Sequence, residues 1–510
     1  MEDLVRQILT ARVYDVAHET PLDALPRLSE RVGRPVLLKR EDLQPVHSFK
    51  IRGAYNRIAH LSAQERAAGV ICASAGNHAQ GVALAAQHEG IQATIVMPTT
   101  TPAIKIEAVR SYGAHVVLHG DVFDDAYAHA RTLEEATGAV FIHPFDDPAV
   151  IAGQGTIGTE ILKQHPEKIG AVFVPVGGGG LAAGVATITK FLRPGIKIIG
   201  VEPAEAAGMQ LALQHGAPTQ LEQVDLFADG VAVREVGQHT FEWCRQYLDE
   251  VITVDTDMIC AAIRDIYEDC RSIAEPSGAV ALAGLKQYAK HTPEGQSLIA
   301  IHSGANVNFN RLRHVAERTE LGDGKEALLA VRLPEAPGAN KRFIEHLGGR
   351  QITAFSYRYN APDEARLLVG VGLEHREERP AFIAELRNHG FAVIDLSDNE
   401  AVKTHVRFMV GGVSGITDER VYRFRFPERP GALLNFLDAL DPEWNLTAFH
   451  YRYHGADYGR VLAGIEAPHE AKDRVAEALH KLGYPFTDET DNVAMALFLG
   501  RSDNGALDPW

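Results

Sequence analysis

The chain lacks most of what would mark it as specialised. It has four cysteines in 510 residues, Cys72, Cys244, Cys260 and Cys270, and no pair stands in C-x-x-C spacing. Zinc-knuckle and thioredoxin-like readings fail, and thiols this sparse read as reduced. Positive charge is short: 50 Lys and Arg against 67 Asp and Glu leave a net charge of −17. Nucleic acid and anionic membrane surfaces both call for a basic face, so neither is expected as a partner. No apolar run approaches the roughly 18 residues of a membrane-spanning helix. The start, Met1-Glu2-Asp3, is acidic and leads into mixed charge rather than the basic-then-apolar order of a secretory signal. A cytoplasmic location is the expectation. Hydrophobic residues at 45% and charged residues at 23% are ordinary for a globular protein. A chain of 510 residues exceeds one core and implies two or three domains.

Up to about residue 315 strands alternate with helices. Val70–Ala73, Thr94–Met97, His115–Leu118, Ala171–Val176 and Lys197–Val201 read as strands. Between them Gly81–Gln87, Pro102–Tyr112 and Phe123–Thr137 read as helices, with another from the glycine run through Phe191. That alternation predicts an α/β fold with parallel sheets covered on both faces. The texture then changes and an internal repeat begins. Arg332-Leu333-Pro334-Glu335-Ala336-Pro337-Gly338 matches Arg425-Phe426-Pro427-Glu428-Arg429-Pro430-Gly431, 93 residues on. Thr353-Ala354-Phe355-Ser356-Tyr357-Arg358-Tyr359 matches Thr447-Ala448-Phe449-His450-Tyr451-Arg452-Tyr453, 94 residues on. Each copy reads strand, Pro-Gly turn, helix, strand, strand, helix, strand, which suits a ferredoxin-like α+β sandwich. Glu317–Glu326, with Gly322 and Gly324 among charges, is the linker candidate. The expected domains are 1–318, a linker 319–327, and two repeats, 328–418 and 419–510.

Four short constellations carry chemistry. In Ser48-Phe49-Lys50-Ile51-Arg52-Gly53 the lysine stands between apolar residues. Partial desolvation lowers a lysine pKa and frees the neutral amine to form a Schiff base. The competing reading is a surface lysine with a buried stem. Ser74-Ala75-Gly76-Asn77-His78 follows a strand and opens a helix. Its N–H groups suit a substrate carboxylate, and the Asn77 amide suits a ring hydroxyl; a plain turn with a helix cap is the alternative. Gly177-Gly178-Gly179-Gly180-Leu181 lies between a strand and a helix, where four bare backbones suit a phosphate better than a simple loop. The same stretch also satisfies a relaxed dinucleotide fingerprint, Gly178-x-Gly180-x-x-Ala183 with Glu202 ending the next strand. Ser303, in His302-Ser303-Gly304-Ala305-Asn306, ends an apolar strand where its hydroxyl could meet a ring nitrogen. A hydroxyl leaves such a nitrogen largely unprotonated, which favours elimination over transamination. A Ser-Gly turn is the alternative there.

Together these motifs, with Lys39-Arg40-Glu41-Asp42-Leu43-Gln44, resemble the biosynthetic threonine dehydratases, a family within the tryptophan-synthase-β-like class of pyridoxal-phosphate (PLP) enzymes. The resemblance covers essentially the whole chain. It implies a fold-type-II catalytic part with two parallel-sheet subdomains, followed by two ACT-like regulatory subdomains. It implies PLP held by Lys50 as Schiff-base lysine, by Asn77, by Gly177 to Gly180 with Leu181, and by Ser303. It implies Ser74 to His78 at the substrate, threonine or serine, and leaves the role of Glu275 open. Serine racemase-like relatives carry a second serine where this chain has Ala75, and bind a metal through an acidic residue where this chain has Gly208. Poor racemisation and no metal site are therefore expected, although Glu202 matches the other ligand. The duplicated region implies isoleucine as inhibitor and valine as antagonist, with Tyr357, Tyr451 and Arg452 at the effector sites, in a homotetramer. Two other readings compete: an NAD-dependent oxidoreductase, and an amino-acid sensor whose N-terminal half is idle.

Overall fold

The computed structural model describes the chain except for residues 292–294, 310, 323, 335–338, 358–363, 409–417, 428–431, 442, 453–457 and 499–510. It divides into two compact units, Met1–Asn308 and Phe309–Trp510. The expected boundary at 318/319 falls inside a helix, Arg311–Gly322, which occupies much of the expected linker. Its polar sequence concealed a buried face: Arg311, His314, Val315 and Arg318 recur at helical spacing and are all buried.

Among its described residues the first unit has ten strands: β1 (Leu22–Ala24), β2 (Val36–Arg40), β3 (Val70–Ala73), β4 (Ala93–Met97), β5 (His115–Leu118), β6 (Val140–Phe141), β7 (Ile169–Pro175), β8 (Lys197–Pro203), β9 (Glu250–Val254) and β10 (Ser297–His302). They form two sheets, ordered β1-β2-β10-β7-β8-β9 and β5-β4-β3-β6. Every pairing is parallel except that of β1 with β2. β3, β7 and β10 are buried at every residue, as parallel strands covered on both faces should be. The smaller sheet is inserted between β2 and β7 of the larger one. Strand β10 returns between β2 and β7 and so brings His302 and Ser303 to the level of Arg40.

Helix Lys50–Ala59 is fixed by a close crossing. A Cβ on Gly53 would come within 2.8 Å of the Val150 carbonyl oxygen, and one on Gly153 within 2.6 Å of the Arg52 carbonyl oxygen. Glycine at both positions lets helix Pro148–Gln164 press directly on the turn that carries Lys50. Beneath this turn lies a buried ionic cluster. Arg52 donates to Glu41 at 2.7 Å and to Glu160 at 2.5 Å, while Lys39 meets Glu160 at 2.6 Å. All four side chains are almost wholly buried, and the remaining donors find Thr20, Thr156 and His18 oxygens. A buried charge cluster is tolerable when its polar atoms are satisfied in this way.

The second unit is built twice over. β11 (Glu326–Pro334), β12 (Ile352–Tyr357), β13 (Glu364–Gly372) and β14 (Ala392–Asp395) form one sheet; β15 (Glu419–Pro427), β16 (Asn445–Arg452), β17 (Tyr458–Glu466) and β18 (Phe486–Asp488) form the other. The orders β12-β13-β11-β14 and β16-β17-β15-β18 are equivalent, and every pairing is antiparallel. With helices after the first and third strands of each, this is the ferredoxin-like arrangement the repeat implied. The copies share an apolar cluster in which Leu328 and Val402 of one meet Val421 and Met495 of the other. Asn399 donates to Asn492 at 3.0 Å. These two residues are one repeat apart, so a local pseudo-twofold axis passes between the copies.

Candidate active site

Lys50 opens its helix, and its Nζ donates to the Pro144 carbonyl at 2.9 Å. Loss of solvent lowers the amine's pKa to about 8, working against the pull of Glu275. Phe145, the next residue after Pro144, lies against the tetraglycine turn. A Cβ on Gly178 would overlap its ring, and one on Gly180 would come within 2.9 Å of its carbonyl oxygen. The amine and the glycine turn therefore flank the same short segment. Gly179 caps helix Gly180–Leu192 with φ +94°, a left-handed conformation that glycine adopts without strain. The helix thus presents its first N–H groups at the turn.

The strand-end motifs converge on the same place. Phe49 N donates to the Ser303 carbonyl at 3.1 Å, and Ser48 bridges Gly304. The Ser303 hydroxyl is buried and donates to the Ser277 carbonyl at 3.2 Å. Asn77 is held at both ends of its amide: Nδ2 donates to Glu275 Oε1 at 2.5 Å, and Oδ1 accepts from Asn306 at 2.7 Å. This fixes its orientation and leaves one Nδ2 hydrogen for another acceptor. Gly76 and Asn77 start helix Asn77–Glu89, where Ser74 Oγ accepts from Gly76 N at 3.3 Å and Ala75 offers no hydroxyl. His78 is buried, with Nε2 on the Ile142 carbonyl at 2.8 Å; burial, then the nearby Lys50 charge, lowers its pKa to about 3. It is a neutral imidazole at any ordinary pH.

Sequence left Glu275 without a role and missed its setting. Burial, reinforced by Asp229, raises its pKa to about 7. Asp229 pairs with Lys105 of helix Ala103–Ser111 at 2.9 Å, and the Gly230 backbone lies against Ser277 and Asn77. Segment 143–146 was also missed, because a loop that acts through one carbonyl and one ring leaves no pattern to find. Glu202 is buried, accepts from Met209 N at 2.7 Å and Gln210 N at 2.9 Å, and is raised to about 7 by burial. It caps helix Gly208–His215, so the acidic residue needed by the dinucleotide reading is engaged elsewhere. Among the described residues no cluster of three or more His, Cys, Asp or Glu side chains suits a metal. Tyr357 ends β12, and Tyr451 and Arg452 end the equivalent strand β16; their side chains lie outside the described residues.

The pocket suits a phosphorylated aldehyde cofactor. It offers a desolvated amine, a glycine turn at a helix N-terminus, and a locked amide. Among the described residues the buried Ser48 Oγ and His78 Nδ1 have no hydrogen-bond partner, the mark of a polar site built around a further group. Residues 13–304 match the pyridoxal-phosphate dependent enzyme family, and residues 317–406 and 410–499 each match the C-terminal regulatory domain of threonine dehydratase. The chain belongs to the biosynthetic threonine dehydratase family of pyridoxal-phosphate dependent enzymes. Over 502 residues it is 52% identical to the biosynthetic L-threonine dehydratase of Burkholderia multivorans, covering 98% of this chain and 99% of that protein. It is 52% identical to the Escherichia coli counterpart over 500 residues, covering 98% and 97%. Among solved structures, the processed form of threonine deaminase isoform 2 from Solanum lycopersicum matches with a TM-score of 0.61 at 53% identity, over 62% of this chain and 92% of that one. Maize serine racemase matches with a TM-score of 0.57 at 36% identity, over 62% and 96%. Membership makes the chain a PLP-dependent lyase and excludes the oxidoreductase reading. No helix among the described residues is long and apolar enough to cross a membrane.

Proposed function

We propose that this chain eliminates water and then ammonia from L-threonine, giving 2-oxobutanoate, and from L-serine, giving pyruvate. The observation that carries the reading is the Lys50 amine, lowered to about 8 and set one residue from the tetraglycine turn through Pro144 and Phe145. Bound PLP supplies an aldehyde for that amine and a conjugated ring that takes up electron density from the substrate Cα. Gly177 to Gly180 and Leu181 hold its phosphate with main-chain N–H groups. Asn77 would give its remaining amide hydrogen to the ring hydroxyl, and the Ser303 hydroxyl would turn from the Ser277 carbonyl to the ring nitrogen. The N–H groups of Ser74 to His78, at the start of their helix, orient the substrate carboxylate. Once the substrate amine has taken its place, Lys50 is the base that removes the Cα proton, held at the distance that makes proton transfer efficient. With Ala75 in place of a second serine, the hydroxyl that serves serine racemase-like relatives as the second base is lacking, which favours elimination over racemisation. Serine reacts because one methyl group in an apolar pocket discriminates by only about 10- to 200-fold.

The duplicated unit, residues 328–418 and 419–510, is assigned to control: isoleucine inhibits and valine relieves, at sites that include Tyr357, Tyr451 and Arg452. The reaction then opens isoleucine biosynthesis and is throttled by its product. A cytoplasmic homotetramer needing no metal is the working form. The deciding experiment measures oxoacid release from threonine by PLP-loaded protein, with and without isoleucine. Turnover that isoleucine suppresses is expected. Absence of oxoacid from PLP-loaded protein overturns the catalytic reading; turnover indifferent to isoleucine overturns the regulatory one.

A further inference from the structure

The tetraglycine turn carries no side chain that could hold its own shape. The Gly179 carbonyl accepts from Ala183 N at 2.8 Å within the helix it opens, whereas the Gly178 peptide plane has to be set from outside; helix Gln238–Tyr247 sets it and backs that of Gly179. Thr240 is fully buried, and its hydroxyl lies 2.6 Å from the Gly178 carbonyl oxygen and 3.1 Å from that of Gly237. A hydroxyl has one proton, and the shorter contact assigns it to Gly178. One helical turn on, the buried thiol of Cys244 donates to the Gly179 carbonyl at 3.7 Å. Burial raises this thiol, so it keeps the proton it donates. Gly237 N approaches the same Gly178 oxygen at 3.5 Å. In a trans peptide the C=O and the following N–H point in opposite directions. Drawing the carbonyls of Gly178 and Gly179 toward this helix therefore turns the N–H groups of Gly179 and Gly180 away from it. The helix start is itself anchored: Asp146 accepts from Gln238 N at 3.1 Å, His239 N at 2.9 Å and Thr240 N at 3.1 Å. Asp146 follows Phe145, and Phe145 follows the Pro144 carbonyl that receives Lys50.

We propose that Thr240 and Cys244 are positioning residues for the cofactor phosphate, holding two peptide units of the glycine turn with their N–H groups outward, and that Asp146 ties this arrangement to the lysine. The assignment rests on the reading that the glycine turn holds the phosphate. Both side chains meet the carbonyl side of the turn, opposite its N–H groups, so the effect is on cofactor affinity and not on the chemistry.

The test strips PLP from the full-length chain and titrates back either PLP or pyridoxal, which has the aldehyde and ring but no phosphate. Thr240→Val removes the hydroxyl and keeps the shape; it should bind PLP about tenfold more weakly and pyridoxal as the unaltered chain does. Thr240→Ser restores the hydroxyl and should return PLP affinity to within about twofold of the original. Equal PLP affinity in Thr240→Val and the unaltered chain overturns the assignment. So does an equal loss for both ligands, or a Thr240→Ser variant as weak as Thr240→Val. Should Thr240→Val not fold, Cys244→Ala decides: a selective loss for PLP supports the proposal and unchanged affinity sinks it. If the unaltered chain binds pyridoxal as tightly as PLP, the glycine-turn reading itself falls, and the roles of Thr240 and Cys244 fall with it.

Discussion

The two units bury polar groups in opposite ways. In the first, buried charges gather in sets of unlike groups. Arg52, Glu41, Glu160 and Lys39 form a single closed cluster under one helical turn, and the Glu275 charge acts on the Lys50 amine. In the second, devices come in pairs. Thr353 donates to the buried Glu326 carboxylate beside Gly370, and Thr447 donates to Glu419 beside Gly464, in the equivalent place. Asn399 and Asn492 meet at the axis between the copies. A catalytic site needs unlike groups gathered at one point. A regulatory pair needs like sites set in register. The comparison explains why one unit was legible through its motifs and the other through its repeat.

The largest effect is expected at Lys50. Lys50→Ala should lower oxoacid production from threonine by about 10³-fold or more, since both tether and base are lost. Borohydride reduction followed by mass spectrometry should find no cofactor attached to the chain, while the unaltered protein retains it. Activity near that of the unaltered chain would remove the assignment.

Next in size is the ionic cluster. Arg52→Leu leaves Glu41 and Glu160 buried without their main counter-charge and should cost about 3–5 kcal/mol of stability. Calorimetry should show the loss in the unfolding of the first unit. Arg318→Leu in the second unit breaks a bidentate pair with Glu400 at 2.7 and 2.8 Å. Arg318 is buried and holds the Glu400 carboxyl well below its usual range, but the Glu400 side chain keeps 34% of its exposure, so water takes over part of the lost contact and the cost should be smaller, about 1–2 kcal/mol. Equal losses would mean that closure of the Arg52 cluster adds nothing.

A smaller effect tests the Lys50–Glu275 pair. The Glu275 anion favours the Lys50 ammonium and so raises the lysine's pKa toward about 8. Glu275→Gln removes that charge, the pKa falls further, and more of the amine is neutral at a given pH. The rate of PLP uptake by cofactor-stripped protein should rise with pH through a midpoint near 8 in the unaltered chain. The midpoint should lie lower in Glu275→Gln. A midpoint that stays put would show that the two groups do not sense each other.

The smallest effect lies on the pseudo-axis. Asn399→Ala and Asn492→Ala each lose the shared bond and a private one, Asn399 Oδ1 to Val402 N and Asn492 Nδ2 to Glu489; each should cost about 1–2 kcal/mol, and the double variant about 1 kcal/mol less than the sum, because the shared bond is lost only once. Additive losses in denaturant titrations would show that the two amides act separately.

Much of the fold could be read directly. β3 and β5 occupy the residues expected of them, and the repeat's strand order led to its sheet order. Local hydrophobic period and glycine placement suffice for such elements. The site was legible as fragments: Lys50, Asn77, the tetraglycine turn and Ser303 each sit on a motif at a strand end or helix start. Glu275 was visible but had no assignable role, and Thr240, Cys244, Asp146 and Pro144 were not visible at all. Thr240 acts through a hydroxyl on a carbonyl 62 residues away, and Pro144 through a carbonyl that any residue would offer. The helix at 311–322 was lost because charges on a buried face look like charges in a linker.

Sequence alone determined the class of chemistry, the two-part organisation and the duplication, because each is written in residues close together in the chain or in a recurrence along it. Only the tertiary structure decided how the smaller sheet is inserted into the larger, which brings β10 beside β2 and Ser303 beside Lys50. It also decided which carboxyl is held near neutrality and which side chains turn the glycine amides outward. Those outcomes depend on water being excluded and on distances between remote segments, and neither is encoded at any single position.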